Sequence, residues 1–139
     1  MINNESIKIE EGVPFSTILD IYNLLSEKDK NFVTNDQPFE ECDDVLERFI
    51  ILLDNHPVGF VELFNDSYHI NNKFIEIAID ENFRNLGLAQ NLINYILKKY
   101  DKEHYTYIWL VDANNNKSIN LAKKLGFSKI NNEKYIKLT

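Results

Sequence analysis

The sequence predicts one α/β domain over residues 1–139, and three observations carry that prediction. Apolar residues change period along the chain, from alternation or short unbroken runs to i, i+4 spacing and back again. Asn, Gly and Pro punctuate the changes. A nearly unbroken apolar run, Phe74 to Asp80, leads into the strongest amphipathic stretch and then into an aromatic-rich strand. Such a β-α-β unit requires a parallel strand pair with a right-handed crossover. At 16.4 kDa the folded chain exposes about 7,500 Å² against roughly 24,000 Å² when extended, enough burial for a full core.

The elements follow in order. Ser6 to Glu10 alternates and reads as a short first strand. Pro14 suits a helix start, and Ile18, Ile21, Tyr22 and Leu25 follow at helical spacing. Pro38 opens a second, acidic helical stretch from Phe39 to Arg48, with Val45, Leu46 and Phe49 apolar. Phe49 to Asp54 and Val58 to Phe64 are strands joined by the turn signal Asn55-His56-Pro57, which predicts a hairpin. Phe74 to Asp80 is apolar on both faces, as a central strand is. Leu88, Leu92 and Ile96 define the main helix, and Lys98 and Lys99 suit the negative end of its dipole. Tyr105 to Val111 is the aromatic strand. Asn115 to Lys124 is a second amphipathic helix with an Asn-rich cap before it and Gly126 after it. Phe127 to Ile130 and Lys134 to Leu138 flank Asn131-Asn132-Glu133 as a final hairpin.

Composition excludes several classes. Hydrophobic residues are 44% and charged residues 27%, as in ordinary globular proteins. The single cysteine, Cys42, cannot form an internal bridge, and with three scattered histidines it makes no zinc pattern. No apolar run reaches the ~20 residues that span a bilayer. Met1 to Glu5 lacks the basic-then-apolar layout of a signal peptide, so a cytoplasmic location is expected. Net charge is −7, unevenly divided. Residues 1–72 hold four Lys or Arg against fifteen acids, a net −11; residues 73–139 hold eleven against seven, a net +4. One half suits cationic ligands and the other anionic ones, although solvated surface charge explains the same numbers. The mildly basic half has no Lys/Arg cluster, which argues against nucleic acid as a partner.

Chemistry concentrates in Arg84-Asn85-Leu86-Gly87-Leu88-Ala89, between the central strand and the main helix. Gly87 lets an anion approach the backbone closely. The first amides of the helix lack intrahelical partners and sit at the positive end of its dipole, so they suit a phosphate. Arg84 offers a charge-assisted contact. A plain strand-to-helix connection containing a glycine reads the same way on its own.

The chain resembles the GCN5-related N-acetyltransferase family. That family's (Arg or Gln)-x-x-Gly-x-(Gly or Ala) pattern is matched by Arg84, Gly87 and Ala89. A second pattern, Asn-x-x-Ala-hydrophobic-x-Leu-Tyr-x-Lys-x-Gly-Phe, is matched at Asn115, Ile119, Leu121, Lys124, Gly126 and Phe127, with Ser118 a small-for-small change. The likeness covers residues 49–139 well and the N-terminal third in element order alone.

The resemblance implies a central mixed β-sheet that splays between the fourth and fifth strands, with helices on both faces. Acetyl-CoA is then the co-substrate. Its diphosphate is expected on the amides of Arg84, Asn85, Leu86, Gly87, Leu88 and Ala89. Its pantetheine arm is expected along Ile77, Ala78 and Ile79, and near Asn115. An unpaired strand edge accepts an amide-bearing arm as it accepts another strand. The implied activity is direct transfer of acetyl to a primary amine of a cationic small molecule or of a protein or peptide. The acidic run Glu40 to Glu47 motivates the cationic acceptor.

A lysine-like amine is under ~0.1% neutral at pH 7, so a general base must take its proton. Glu62 and Glu76, on the two inner strands, are the candidate catalytic bases, with His69 a weaker one. Many family members carry a tyrosine that protonates the leaving thiolate, and its aligned position is Ala122. Tyr100, Tyr107 and Tyr135 are open substitutes. The missing tyrosine motivates the alternative, a catalytically inactive acyl-CoA-binding regulatory module. A homodimer through sheet edges is compatible with either reading.

Overall fold

Seven strands form one mixed sheet in the computed structural model, which describes residues 6–34 and 37–139. The N-terminal pentapeptide, read above for leader features, lies outside the described residues. The strands are β1 (Ile7–Glu11), β2 (Val45–Leu53), β3 (His56–Asn65), β4 (Asn72–Ile79), β5 (Thr106–Leu110), β6 (Ser128–Asn131) and β7 (Lys134–Leu138). The α-helices are α1 (Phe15–Asn23), α2 (Glu27–Thr34), α3 (Leu88–Lys99) and α4 (Asn116–Lys124). The sheet order is β1-β2-β3-β4-β5-β7-β6. Only β4 and β5 run parallel, joined through α3 as the β-α-β unit requires.

Alternation along the strands separates two cores. Phe49, Ile51 and Leu53 of β2, Val61 and Leu63 of β3, Ile75 and Ile79 of β4, and Tyr107 and Trp109 of β5 pack with α3 and α4. Ile50, Leu52, Phe60 and Ala78 pack with Ile18, Ile21 and Leu25 on the α1 face. Helices therefore cover both faces, and β4 is buried from both sides as its unbroken apolar run implies. No helix among the described residues is long and apolar enough to cross a membrane.

The acidic helix expected over Phe39 to Arg48 does not form. Its second half joins β2, which starts at Val45 and follows the ten-residue β3 through a register shift between Val45 and Glu47. Pairing with a long neighbour overrides the local helical spacing. The second helix lies earlier, where Ser26 Oγ accepts the Asp29 N–H at 3.2 Å and caps α2. The first hairpin also turns one residue sooner than expected. Asp54 and Asn55 both have positive φ, 50° and 67°, the pattern of a tight two-residue turn that matches strand twist. His56 and Pro57 already belong to β3, where they pair with Leu53 and Leu52.

Two cross-sheet features lock the parts together. Lys99 Nζ, at the end of α3, lies 2.8 Å from Glu11 Oε2 and 2.7 Å from Glu47 Oε1. Tyr95 and Tyr100 donate hydroxyl bonds to the same two carboxylates. The second feature is Gly59, where β3 meets the end of β4. A Cβ there would collide with the Ile79 δ-methyl and lie 2.8 Å from the Ala78 carbonyl oxygen. Gly59→Ala should therefore cost about 1–3 kcal/mol through overpacking. Urea denaturation of the variant beside the parent measures it, and an unchanged midpoint refutes the close approach.

Candidate active site

β4 pairs with β5 only from Asn72 to Ile75, against Thr106 to Trp109. From Glu76 to Ile79 it keeps its β3 partner and has none on the β5 side. β5 leans instead toward β7, and the Val111 N–H donates to the Glu133 carbonyl at 2.9 Å. The strands thus diverge after Ile75 and Trp109. The divergence opens a cleft of about 1000 Å³ that runs from α2 past β4 to the start of α4. Ile77, Ala78 and Ile79 line it along the open edge of β4.

The loop after β4 forms one end of the cleft. Asp80 accepts the Asn82 N–H at 2.9 Å and starts a short 3-10 turn, Glu81–Phe83. Asn85 and Gly87 then adopt left-handed backbone, with φ of 65° and 76°. Successive N–H groups in such a turn converge into an anion-binding concavity. The N–H groups of residues 85–90 have no acceptor among the described residues, and Gly87, the N-cap of α3, supplies no side-chain cap. A Cβ at Gly87 would meet nothing within 4 Å, so the space over the turn is open. Arg84, Asn85, Gly87, Leu88 and Ala89 line the cleft; the Leu86 side chain does not and is 41% exposed, so only its backbone belongs to the turn.

Arg84 departs from its expected role. Its Nε donates to the Ile79 carbonyl at 3.1 Å, and its guanidinium is ion-paired with Asp29 of α2. The side chain braces the turn against α2 and the end of β4, and so is already engaged. Asp29, 8% exposed, was not singled out in the sequence; Ser26 three residues before it was the available signal of a helix start there.

On the opposite wall Asn115 caps α4. Its Oδ1 accepts the Ser118 N–H at 3.3 Å, its NH₂ group has no acceptor among the described residues, and Asn115 lines the cleft. Lys117 and Lys124 of α4 add two cationic side chains to this wall. They came from the polar stripe of the helix, which by pattern alone reads as solvated surface.

The two carboxylates expected as bases occupy different environments. Arg48, Glu62 and Glu76 form a cross-strand row on β2, β3 and β4. Glu62, 2% exposed, accepts from Arg48 Nε at 3.0 Å and does not line the cleft. Its burial raises its pKa while the Arg48 guanidinium opposes the rise. Glu76 does line the cleft and has no ion pair or hydrogen bond to a described side chain. Burial pushes its carboxyl up to about 8, and the neighbouring Glu62 charge adds to the rise. Of the two carboxyls in the row, only Glu76 lines the cleft; Glu62 is held behind it by Arg48.

None of the other expected acids or bases reaches the cleft. Tyr100 donates to Glu47. Tyr107 and Tyr135 are buried in the core, and the Tyr107 hydroxyl has no hydrogen-bond partner there. Ala122 is fully buried against the same core. His69 lies exposed in the β3–β4 connection. The acidic run is absorbed elsewhere: Glu41 approaches Arg48 at 3.7 Å and Glu47 holds Lys99, with neither lining the cleft.

A family model described as the acetyltransferase (GNAT) family matches residues 16–127. No curated protein sequence matches the chain significantly. Among solved structures, the GNAT domain of Streptomyces lividans PAT superposes with a TM-score of 0.76 at 11% identity, covering 95% of this chain and 88% of that one. A spermidine N-acetyltransferase from Vibrio cholerae, in complex with CoA and spermine, gives 0.72 at 19% identity, covering 97% and 96%. Arabidopsis thaliana Naa50, in complex with the bisubstrate analogue CoA-Ac-MVNAL, gives 0.67 at 18% identity, covering 94% and 96%. At these identities the structural likenesses establish the fold. The family match takes in the strand-to-helix turn and the α4 motif as well, and by it the chain belongs to the GNAT family of acetyltransferases.

Proposed function

We propose that this protein is an N-acetyltransferase that moves acetyl directly from acetyl-CoA to a primary amine, a cationic small molecule or a protein or peptide amine. One observation carries the reading: an open β4 edge ends in a turn whose N–H groups, residues 85–90, have no acceptor among the described residues, with open space over Gly87. A diphosphate fits those N–H groups, with Lys117 and Lys124 supplying countercharge. An amide-bearing arm fits the edge of Ile77 to Ile79 and the Asn115 NH₂ group. Acetyl-CoA, when bound, supplies an acyl thioester activated toward amines. Solved structures of this fold hold CoA beside spermine, or a CoA–peptide bisubstrate analogue, which accords with an amine acceptor.

Glu76 is the base this reading requires. Moving a proton from an ammonium of pKa near 10.4 to an exposed carboxylate near 4.3 is uphill by about 8 kcal/mol. To a carboxylate near 8 the climb is about 3 kcal/mol. Burial, with the Glu62 charge beside it, therefore makes Glu76 a stronger proton acceptor. Glu62 and Arg48 hold the row in place behind it.

The alternative, an acyl-CoA-binding module without turnover, is favoured by one observation: no tyrosine is among the described residues that line the cleft. A thiolate of pKa near 8.5 leaves without an acid, so transfer needs none. Release of free thiol from acetyl-CoA in the presence of amines separates the two; calorimetric binding without release on any amine selects the module.

Three outcomes are expected. Gly87→Glu puts a carboxylate into the open space over the turn, and calorimetry should find CoA affinity at least a hundredfold weaker while the far-ultraviolet spectrum is kept. Arg84→Ala removes the partner of the largely buried Asp29 and should lower stability by about 1–3 kcal/mol in urea. Glu76→Gln should lower kcat/KM by about 10²–10⁴. Its stability signature has a fixed sign. Between pH 4.5 and about 8 the folded parent holds a proton on Glu76 that the unfolded chain has lost, so parental stability falls as pH rises across that window. The thermal midpoint of Glu76→Gln should therefore exceed the parent's by a margin that widens from pH 5 to pH 8; a constant margin refutes the raised pKa.

A further inference from the structure

Arg48, Glu62 and Glu76 are direct cross-strand partners, so their side chains leave the same face of β2, β3 and β4. Neighbouring strands lie about 4.8 Å apart, so the Arg48 backbone stands about 10 Å from that of Glu76, with Glu62 between them. The row runs between two apolar cross-strand pairs on the same face, Phe60 with Ala78 on one side and Phe64 with Phe74 on the other. Arg48 Nε donates to Glu62 at 3.0 Å, and Glu62 is 2% exposed. The guanidinium has further partners: Glu41 lies 3.7 Å from it, the Cys42 carbonyl accepts at 3.5 Å, and the Phe15 ring centroid is 5.5 Å from Cζ.

Other charged groups near Glu76 belong to other partners or other walls. On α2, Asp29 is paired with Arg84 and Lys30 with Glu27. Asp112 and Glu133 line the cleft beyond β5, and Lys117 and Lys124 line it from α4. The α1 residues buried on this face, Ile18 and Ile21, carry no charge, and Lys73 of β4 points to the opposite face. Glu62 is the charge directly beside Glu76 in register, and its carboxylate acts on Glu76. The Arg48–Glu62 pair is neutral as a whole, but its negative end lies nearer to Glu76, so its field there is negative. Burial favours the uncharged form of Glu62, and the Arg48 guanidinium opposes that.

We propose that Arg48 and Glu62 are positioning residues for acetyl transfer: a buried ion pair, laid across β2 and β3 with its carboxylate end toward Glu76, that governs how firmly this base holds a proton. Neither residue lines the cleft, so the pair acts through Glu76 and not on a ligand. The catalytic consequence rests on the N-acetyltransferase reading above; the electrostatic one does not. The order of the charges fixes the sign of each change. Removing the Glu62 carboxylate and leaving the Arg48 cation loosens the Glu76 proton most, because a negative neighbour is lost and a positive one is uncovered. Removing both charges loosens it less.

The test titrates the Glu76 carboxyl by carbon NMR in protein labelled at the glutamate carboxyls, its signal identified by its absence from Glu76→Gln. Glu62→Gln and the double variant Arg48→Met with Glu62→Gln are compared with the parent. The double variant leaves no buried charge unpaired, so it carries the test if Glu62→Gln does not fold. The Glu76 midpoint should fall by about one pH unit in Glu62→Gln and by less in the double variant. Thiol release from acetyl-CoA with a panel of amines gives the second readout. The ratio of variant to parent kcat/KM should rise as the pH is lowered from 9 to 6, because the ionisation of the amine cancels in the ratio and the looser proton does not. A midpoint that stays in place, or a ratio constant with pH, is the mark of a purely structural pair; it overturns the proposal and leaves the transferase reading standing. A lowered midpoint with no amine acetylated overturns both the positioning role and the transferase reading.

Discussion

The parting of β4 from β5 is the constraint on which the remaining structure depends. Two parallel strands that pair for four residues and then stop leave backbone donors and acceptors without a strand partner. Each forgone sheet bond gives up roughly 0.5–1.5 kcal/mol relative to a continued ladder. The cost is tolerated because each strand has a better-fitted neighbour on its other side. β3 follows β4 to Ile79 through the close contact at Gly59, and β7 follows β5 to Leu110. The wedge is thus a by-product of two strong antiparallel ladders that diverge. It delivers an open edge, a nest of N–H groups and a carboxyl into one space.

Much of this was legible in the sequence because it is local. The element order, the β-α-β unit and the turn at Gly87 all follow from period and punctuation. Asn115 as a helix cap and Gly126 just past the end of α4 follow in the same way. What failed depended on contacts between distant segments. Val45 to Arg48 carries both helical spacing and strand alternation, and only the presence of β3 decides between them. Asp54-Asn55 is a turn of two positive-φ residues without glycine, which the neighbouring proline obscured. Glu62 and Glu76 look alike in sequence. Their difference is that Arg48 reaches the first and not the second, a fact of register.

The charge asymmetry carries a related lesson. Three carboxylates of the acidic half are stitched to the basic half: Glu11 and Glu47 to Lys99, Asp29 to Arg84. Within the acidic half Glu62 and Glu41 share Arg48. A net charge that reads as a ligand preference is to that extent internal mortar. Among the described residues that line the cleft, Lys117, Lys124 and Glu76 have no ion pair.

The Asp29–Arg84 pair has a further consequence. The arginine sits in the phosphate turn, and the aspartate sits one helical turn before Phe32 and Val33. Floor and roof of the reaction chamber are therefore bolted to each other across 55 positions of chain. A displacement of the turn would reach the helix that carries Phe32 and Val33 through this pair, and a displacement of that helix would reach the turn by the same route. The phosphate turn and the wall that faces it are thus one braced object and not two independent surfaces.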